Sequence, residues 1–414
     1  MRRMRERIRR FRVVVLTTIL AAAIATVTGT LTSSVVPGHA VAGMTGTELR
    51  TLNVGPYVAN PADYRPETDS ADEVYRLEAR RMFGYLADPS DIDPDLNFAS
   101  DVESIDSDAV GILDNDHLLP QAFASIAPAH SLIGGVMLGR NNRSLRARRA
   151  ADIALLRFGD PAAAQAAAGD LNGAMGSPGR HPLPVAEPNA PAGSADDATG
   201  QLLAVRGAYL VLIQAVLPRP DPVALAARLT ALARAQFAAM ASLTPTPLQD
   251  IPGLEADRDA MLRRTLADPR SVVAPSDYSL DNLEGVYDPG AALHFEDDAG
   301  LMRRAFAADG VDLVAQNAGK IYRTRDLDSA FRLQATLTLV GHDDQELANP
   351  PGITDAHCVE RDEADPVTNA RSICAVVYGR YVGLVGSADT LEGRTEQGLY
   401  QRAAAQYSIL AGSR

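Results

Sequence analysis

The sequence predicts an α+β fold. Two α/β-sandwich-like domains are built from a duplicated strand–helix–hairpin–helix unit, behind an N-terminal signal or anchor segment. Three observations carry this expectation. Apolar runs of strand length alternate with longer amphipathic stretches that open on Asp or Asp-Pro. The order of these segments is the same in both halves of the chain. Gly207-Ala208-Tyr209 and Gly379-Arg380-Tyr381 also stand at matching places, as a duplicated unit requires.

Residues 1–42 are expected to be a signal peptide or an uncleaved anchor. Met1 to Arg12 holds seven arginines against one Glu, Val13 to Val36 is uncharged, and small residues close the segment at Gly38-His39-Ala40-Val41-Ala42. Basic, apolar and small-residue regions in that order direct a chain to export. A helix of about 24 residues would also reach roughly 36 Å, enough to cross a bilayer as an anchor. The threonines and serines of the run, with Gly29 and Pro37, favour cleavage near Ala40 or Ala42. Either way the bulk of the chain is expected to be extracytoplasmic, secreted or tethered by residues 13–36.

Residues 43–69 read as an extended lead-in and 70–249 as the N-terminal α+β domain. Ser70-Ala71-Asp72-Glu73 is a capping box that opens a helix to about Ala87, with Val74, Leu77, Met82 and Leu86 as its buried positions. Asp88 to His117 is acidic with no Lys or Arg. Ile153 to Phe158 is a strand, followed by a helix from Asp160-Pro161 to Leu171. Gly169 to Thr199, rich in Pro, Gly and Ala, is expected to be a long loop. Leu210 to Val216 is a strand, and Asp221-Pro222 opens a helix to Met240 with Leu225, Leu229, Leu232 and Phe237 as its apolar stripe.

Residues 250–414 read as the C-terminal α+β domain. Ala291 to Phe295 is expected to be a strand, an element with no counterpart in the first block, and a helix follows from Asp297 to Ala308. Then come a strand from Ile321 to Thr324 and a helix from Asp326 to about Leu339. Strands surround both cysteines, Val382 to Val385 is a further strand, and a helix from about Leu391 to Leu410 buries Leu399, Ala403, Tyr407 and Leu410.

Cys358 and Cys374 are the only cysteines, and they flank a loop between two strands. In an exported chain a disulfide is the expected state. A metal site would need further soft ligands near His357, and the C-x-x-C spacing of redox catalysts is absent. Loss of residues 1–42 would take the formal charge from −13 to about −19. So acidic a chain is repelled by phosphate backbones, which excludes nucleic acid as a partner.

Few residues invite chemistry. Asp91-Ile92-Asp93-Pro94-Asp95-Leu96-Asn97 has the alternating oxygens of a calcium loop, but Leu96 and Val102 replace its Gly and Glu. A solvated acidic loop is the plainer reading. His294 with Glu296, Asp297 and Asp298 would make an acid/base cluster, or simply a structural His beside an Asp helix cap. His342-Asp343-Asp344 is a weaker version in a turn. Arg140, Arg143, Arg146, Arg148 and Arg149 form a basic patch that would meet anionic lipid heads or wall polymers, or else be a solvated helix face. There is no G-x-S-x-G, H-E-x-x-H, Walker loop or G-x-G-x-x-G. No catalytic, metal-binding or cofactor-binding residue is therefore expected.

The chain resembles the DUF7373 family of actinobacterial exported, lipoprotein-like envelope proteins. The resemblance rests on Leu52-Asn53-Val54-Gly55-Pro56-Tyr57, Glu78-Ala79-Arg80-Arg81-Met82 and Asp93-Pro94. It continues through Thr244-Pro245-Thr246-Pro247, Asp250-Ile251-Pro252, Gly285-Val286-Tyr287 and Ala291-Ala292-Leu293-His294-Phe295. Gly310-Val311-Asp312-Leu313-Val314 and Tyr322-Arg323-Thr324-Arg325-Asp326 complete it. It implies two domains meeting near residue 250 and transfers no activity. The chain departs from lipidated members in having no Cys before Cys358.

The expected function is that of an exported, non-catalytic ligand-binding or interaction module of the cell envelope. Its partner would be an envelope lipid, wall polymer or protein, held in the groove between the domains. Membrane contact would come only through an uncleaved N-terminal segment. The rival expectation is an envelope hydrolase whose active site assembles around His294 and nearby carboxylates.

Overall fold

The computed structural model describes residues 47–66, 69–107, 118–176, 178–267, 283–387 and 395–413. Residues 1–42, expected to direct export, the start of the expected lead-in and residues 108–117 of the acidic stretch lie outside the described residues. Among the described residues no helix is long and apolar enough to cross a membrane.

Helices begin where the sequence caps them. Ser70 and Glu73 exchange backbone and side-chain hydrogen bonds to open α1, Ala71–Met82. After α2, Phe123–Ala129, aspartates do the same work. Asp160, Asp221, Asp298 and Asp326 each accept a backbone N–H to start α3 (Pro161–Ala174), α4 (Pro222–Ala239), α5 (Ala299–Asp309) and α6 (Leu327–Leu337). Part of the chain's acidity is thus spent on helix N-termini. The last helix, α7, is Thr395–Gly412.

Among the described residues the strands form two antiparallel seven-stranded sheets. The first contains β1 (Phe98–Ile105), β2 (Leu132–Asn141), β3 (Ala150–Phe158), β4 (His181–Pro182), β5 (Ala192–Ser194), β6 (Thr199–Arg206) and β7 (Tyr209–Val216). The second contains β8 (Gly285–Tyr287), β9 (Leu313–Gln316), β10 (Lys320–Arg323), β11 (Gln345–Leu347), β12 (His357–Glu360), β13 (Ser372–Tyr378) and β14 (Tyr381–Ser387). Their orders are β1–β2–β3–β7–β6–β5–β4 and β8–β9–β10–β14–β13–β12–β11, so each strand has a counterpart seven places on. The matching glycines close equivalent two-residue hairpins. Gly207 (φ 59°) and Gly379 (φ 58°) sit at the first turn position, where only a residue tolerant of left-handed backbone fits.

Each sheet is covered on both faces. In the first, Ala154, Leu156, Leu210 and Leu212 pack under α2 and α3, while Ile153, Leu155, Val211 and Ile213 meet Leu225, Leu229 and Leu232 of α4. In the second, Ile321, Val376 and Val385 lie under Leu399 and Ala403 of α7, while Val314, Tyr322 and Val377 face Met302 and Phe306 of α5 and Leu333 of α6. The α4 face of the first sheet and the α5–α6 face of the second belong to one continuous apolar cluster. Phe83, Tyr287 and Phe295 link the halves, with the Phe83 and Phe295 ring centroids 4.9 Å apart.

Three expectations need correction. Ala291 to Phe295 is not a strand but a helical turn running from Pro289 to Phe295, because Pro289 after Asp288 fixes φ for a helix start and the apolar run is too short to show a period. The second block therefore has no extra strand. Gly169 to Thr199 is not one loop: α3 runs on to Ala174, and two short strands of small residues and proline follow, β4 at the sheet edge and β5 beside it. The arginines from Arg143 to Arg149 belong to the β2–β3 hairpin loop rather than a helix face.

Candidate functional site

The residues singled out by sequence converge on the junction between the halves. His294, on the Pro289–Phe295 turn, is 3% exposed, and its Nδ1 lies 3.6 Å from Asp88 Oδ2. The same carboxylate is 3.2 Å from Nη2 of Arg140, a guanidinium with no exposed surface at the end of β2. Arg140 also donates to the carbonyls of Leu293 (2.6 Å) and Glu296 (2.8 Å). Burial raises the Asp88 carboxyl, but His294 and Arg140 more than offset it and hold Asp88 below the usual carboxylate range. Arg140 is therefore part of a buried clasp, not of a basic patch.

Glu296 forms a second clasp. Its Oε1 accepts from Lys320 Nζ at 3.2 Å and from Tyr322 Oη at 2.9 Å, while Lys320 also donates to the Phe295 carbonyl at 2.6 Å. Lys320 is the only lysine in the chain. Burial pushes Glu296 upward, and Lys320 and Tyr322 oppose it. Asp297 pairs with Arg143 at 2.5 Å, and Asp298 is the N-cap of α5. Backbone bonds from Ala99 to Asp297 and from Ala299 to Asn97 extend the edge of the first sheet into this segment.

Other family-motif residues are fasteners as well. Glu78 accepts from Arg81 (2.8 Å) and Thr246 Oγ1 (2.7 Å), and pairs with the buried Arg157 at 2.5 Å. Arg81 and Arg157 then donate to the carbonyls of Thr244 and Thr246, pinning the Thr-Pro-Thr-Pro segment to α1 and β3. Arg80 reaches across to Glu284, which also accepts from Tyr64.

The remaining candidates are answered locally. Asp93 of the calcium-like loop pairs with Arg228 (2.7 Å) and Arg149 (3.5 Å), Asp95 with Arg149, and Asp91 with Arg303. Among the described residues no group of three or more His, Cys, Asp or Glu is placed to hold a metal ion. His342 is exposed beside Asp343, while Asp344 receives Arg361. Cys358 and Cys374 are directly opposed on β12 and β13 and form the disulfide.

Sequence reasoning missed the partners of His294, because Asp88 and Arg140 lie far from it in the chain and carry no local pattern. It also missed the clefts. His294 and Asp88 line one of about 400 Å³ with Arg303 and Asp91. Glu296 and Lys320 line another of about 520 Å³ with an acidic rim. A third, of about 620 Å³, lies in the N-terminal half beside the linking segment rather than between the halves. Its walls are Phe237 of α4 and Met240, Ala241 and Leu243 just beyond its end, then Pro245, Pro247 and Leu248, with Tyr209 and Arg157 on the sheet side. At its edge Arg206 stacks on the Phe237 ring, 4.0 Å from the centroid.

Two family profiles match the chain. They are the N-terminal domain of unknown function DUF7373 over residues 65–256 and the DUF7373 C-terminal domain over residues 261–413. No curated protein and no solved structure matches it.

Proposed function

The chain belongs to the DUF7373 family, and from that premise we propose that it is an exported, non-catalytic binding module of an actinobacterial cell envelope. The observation that carries the proposal is the 620 Å³ cleft, of a size and apolar character suited to a small ligand. Its lining offers Phe237, Met240 and Leu243 for an apolar body and Arg206 at the edge for an anionic end. The His294 cluster supports binding over hydrolysis for a different reason. Its charged groups are aimed at one another and at backbone carbonyls, where they join the halves.

Native mass spectrometry of the full chain purified from its own envelope tests this. A bound small molecule is expected in the wild type and absent from Ala241→Trp, which fills the cleft from its rim. No adduct in the wild type, or an adduct unchanged by the substitution, counts against the proposal.

A further inference from the structure

We propose that the β2–β3 hairpin tip is a docking element for an anionic lipid surface. The loop from Asn142 to Arg149 is built, not slack. Asn142 Oδ1 accepts from the backbone of Ser144 (3.3 Å) and Arg149 (3.0 Å), and its amide donates to the Ala147 carbonyl at 2.9 Å. Ser144 Oγ accepts from Ala147 N–H at 3.1 Å, and Arg143 takes a left-handed conformation at φ 48°. The base of the loop is tied to the body. Arg143 is held by Asp297 and by the face of Phe98, and Arg149 by Asp93 and Asp95.

What this scaffold presents is specific. Leu145 is fully exposed at 102%, and it is followed by Arg146 and Arg148, both exposed. Neither arginine makes a salt bridge among the described residues, and Arg148 alone of the two acts on a carboxylate, the buried Asp152, in a chain of net charge −13. A lone exposed Leu is ordinary, and so is an unpaired surface Arg. Together at the apex of a hydrogen-bonded loop they match a membrane interface, which takes the guanidinium groups at its phosphates and the leucyl side chain at the acyl boundary. A soluble polyanion would use the arginines and leave Leu145 without a role. The element is separate from the 620 Å³ cleft and does not depend on it.

Co-sedimentation of the full chain with vesicles tests the assignment, using phosphatidylcholine alone and phosphatidylcholine mixed with phosphatidylglycerol. Any contribution of residues 1–42 is common to all variants. Arg146→Gln with Arg148→Gln is expected to weaken binding to the anionic vesicles about 25-fold, roughly fivefold for each arginine. Leu145→Ser should weaken it severalfold, and binding to the neutral vesicles should change with neither. Unchanged binding in the double variant overturns the proposal. So does a loss from the arginine variant with none from Leu145→Ser, because that pattern describes a polyanion site. Thermal melts of each variant confirm that the fold is retained.

Discussion

Asp101 and Asp152 show how one glycine sets a titration. They lie on either side of Gly139 in adjacent strands, and a Cβ built on that glycine would stand 2.5 Å from Asp152 Oδ1 and 3.3 Å from Asp101 Cβ. Gly139 thus leaves the space in which two carboxyls meet. Burial pushes Asp152 up to about 6, against Gln214 and Arg148, and burial together with the Asp152 charge raises Asp101. An acid whose pKa is raised by folding is taken up with its proton, so its stabilisation is complete below the ordinary carboxylate pKa and is lost as pH rises through about 6. Asp152→Asn should therefore raise the melting temperature at pH 7–8 by about 3 °C or more, with little change near pH 4. A melting-temperature profile with no pH-dependent difference between the two proteins would refute this. Asp88 and Glu78 act in the opposite sense. Their carboxyls are held low, so the stability they add is present at neutral pH and lost in acid.

Among the elements, the β12–β13 hairpin is the one stapled covalently. Cys358 and Cys374 are direct cross-strand partners, so the bond closes an otherwise long loop from within the ladder, two pairs in from Glu360 and Ser372. Closure of a loop of about 15 residues contributes roughly 3 kcal/mol in the chain-entropy model. Cys358→Ser with Cys374→Ser should lower stability in urea by about 2–3 kcal/mol. Thiol labelling of the unreduced, denatured wild type should find neither cysteine free. Elements of this kind were legible because their determinants are local. The Asp caps, the Gly207 and Gly379 turns and the paired cysteines all act within a few residues or announce themselves by type. The Ala291–Phe295 turn and the strands β4 and β5 were not legible, because short runs of alanine, glycine and proline carry no period. The His294 clasp was half legible. The histidine stood out, but Asp88 and Arg140 come from the other domain and are brought to it only by the tertiary fold.

At the scale of the whole molecule, the shared apolar cluster makes two repeats into one folding unit. Cutting the chain between residues 256 and 261 would expose the α4 face of one half and the α5–α6 face of the other, and would part Arg140 from the Leu293 and Glu296 carbonyls, His294 from Asp88, and Glu284 from Arg80 and Tyr64. Large apolar faces and unpaired buried charges are each severe costs. Unfolding of the intact chain in urea is therefore expected as a single transition, coincident by far-ultraviolet circular dichroism and by tyrosine fluorescence, which is readable because the chain has no Trp. Two separated transitions would show that the halves stand alone.

The repeats meet through different faces. Tyr209 and Tyr381 hold equivalent places after their hairpin glycines, yet Tyr209 belongs to the central cluster while Tyr381 packs against the outer one under α7. The pairing is thus front to back, a heterologous contact without a two-fold axis. Such a contact does not close on itself; left unchecked, it propagates as an open filament. In this protein, covalent linkage of two copies and the helices α2, α3 and α7 over the outward faces end the series at one step. Substitutions that made those helices apolar on their solvent side would favour end-to-end fibres over closed dimers.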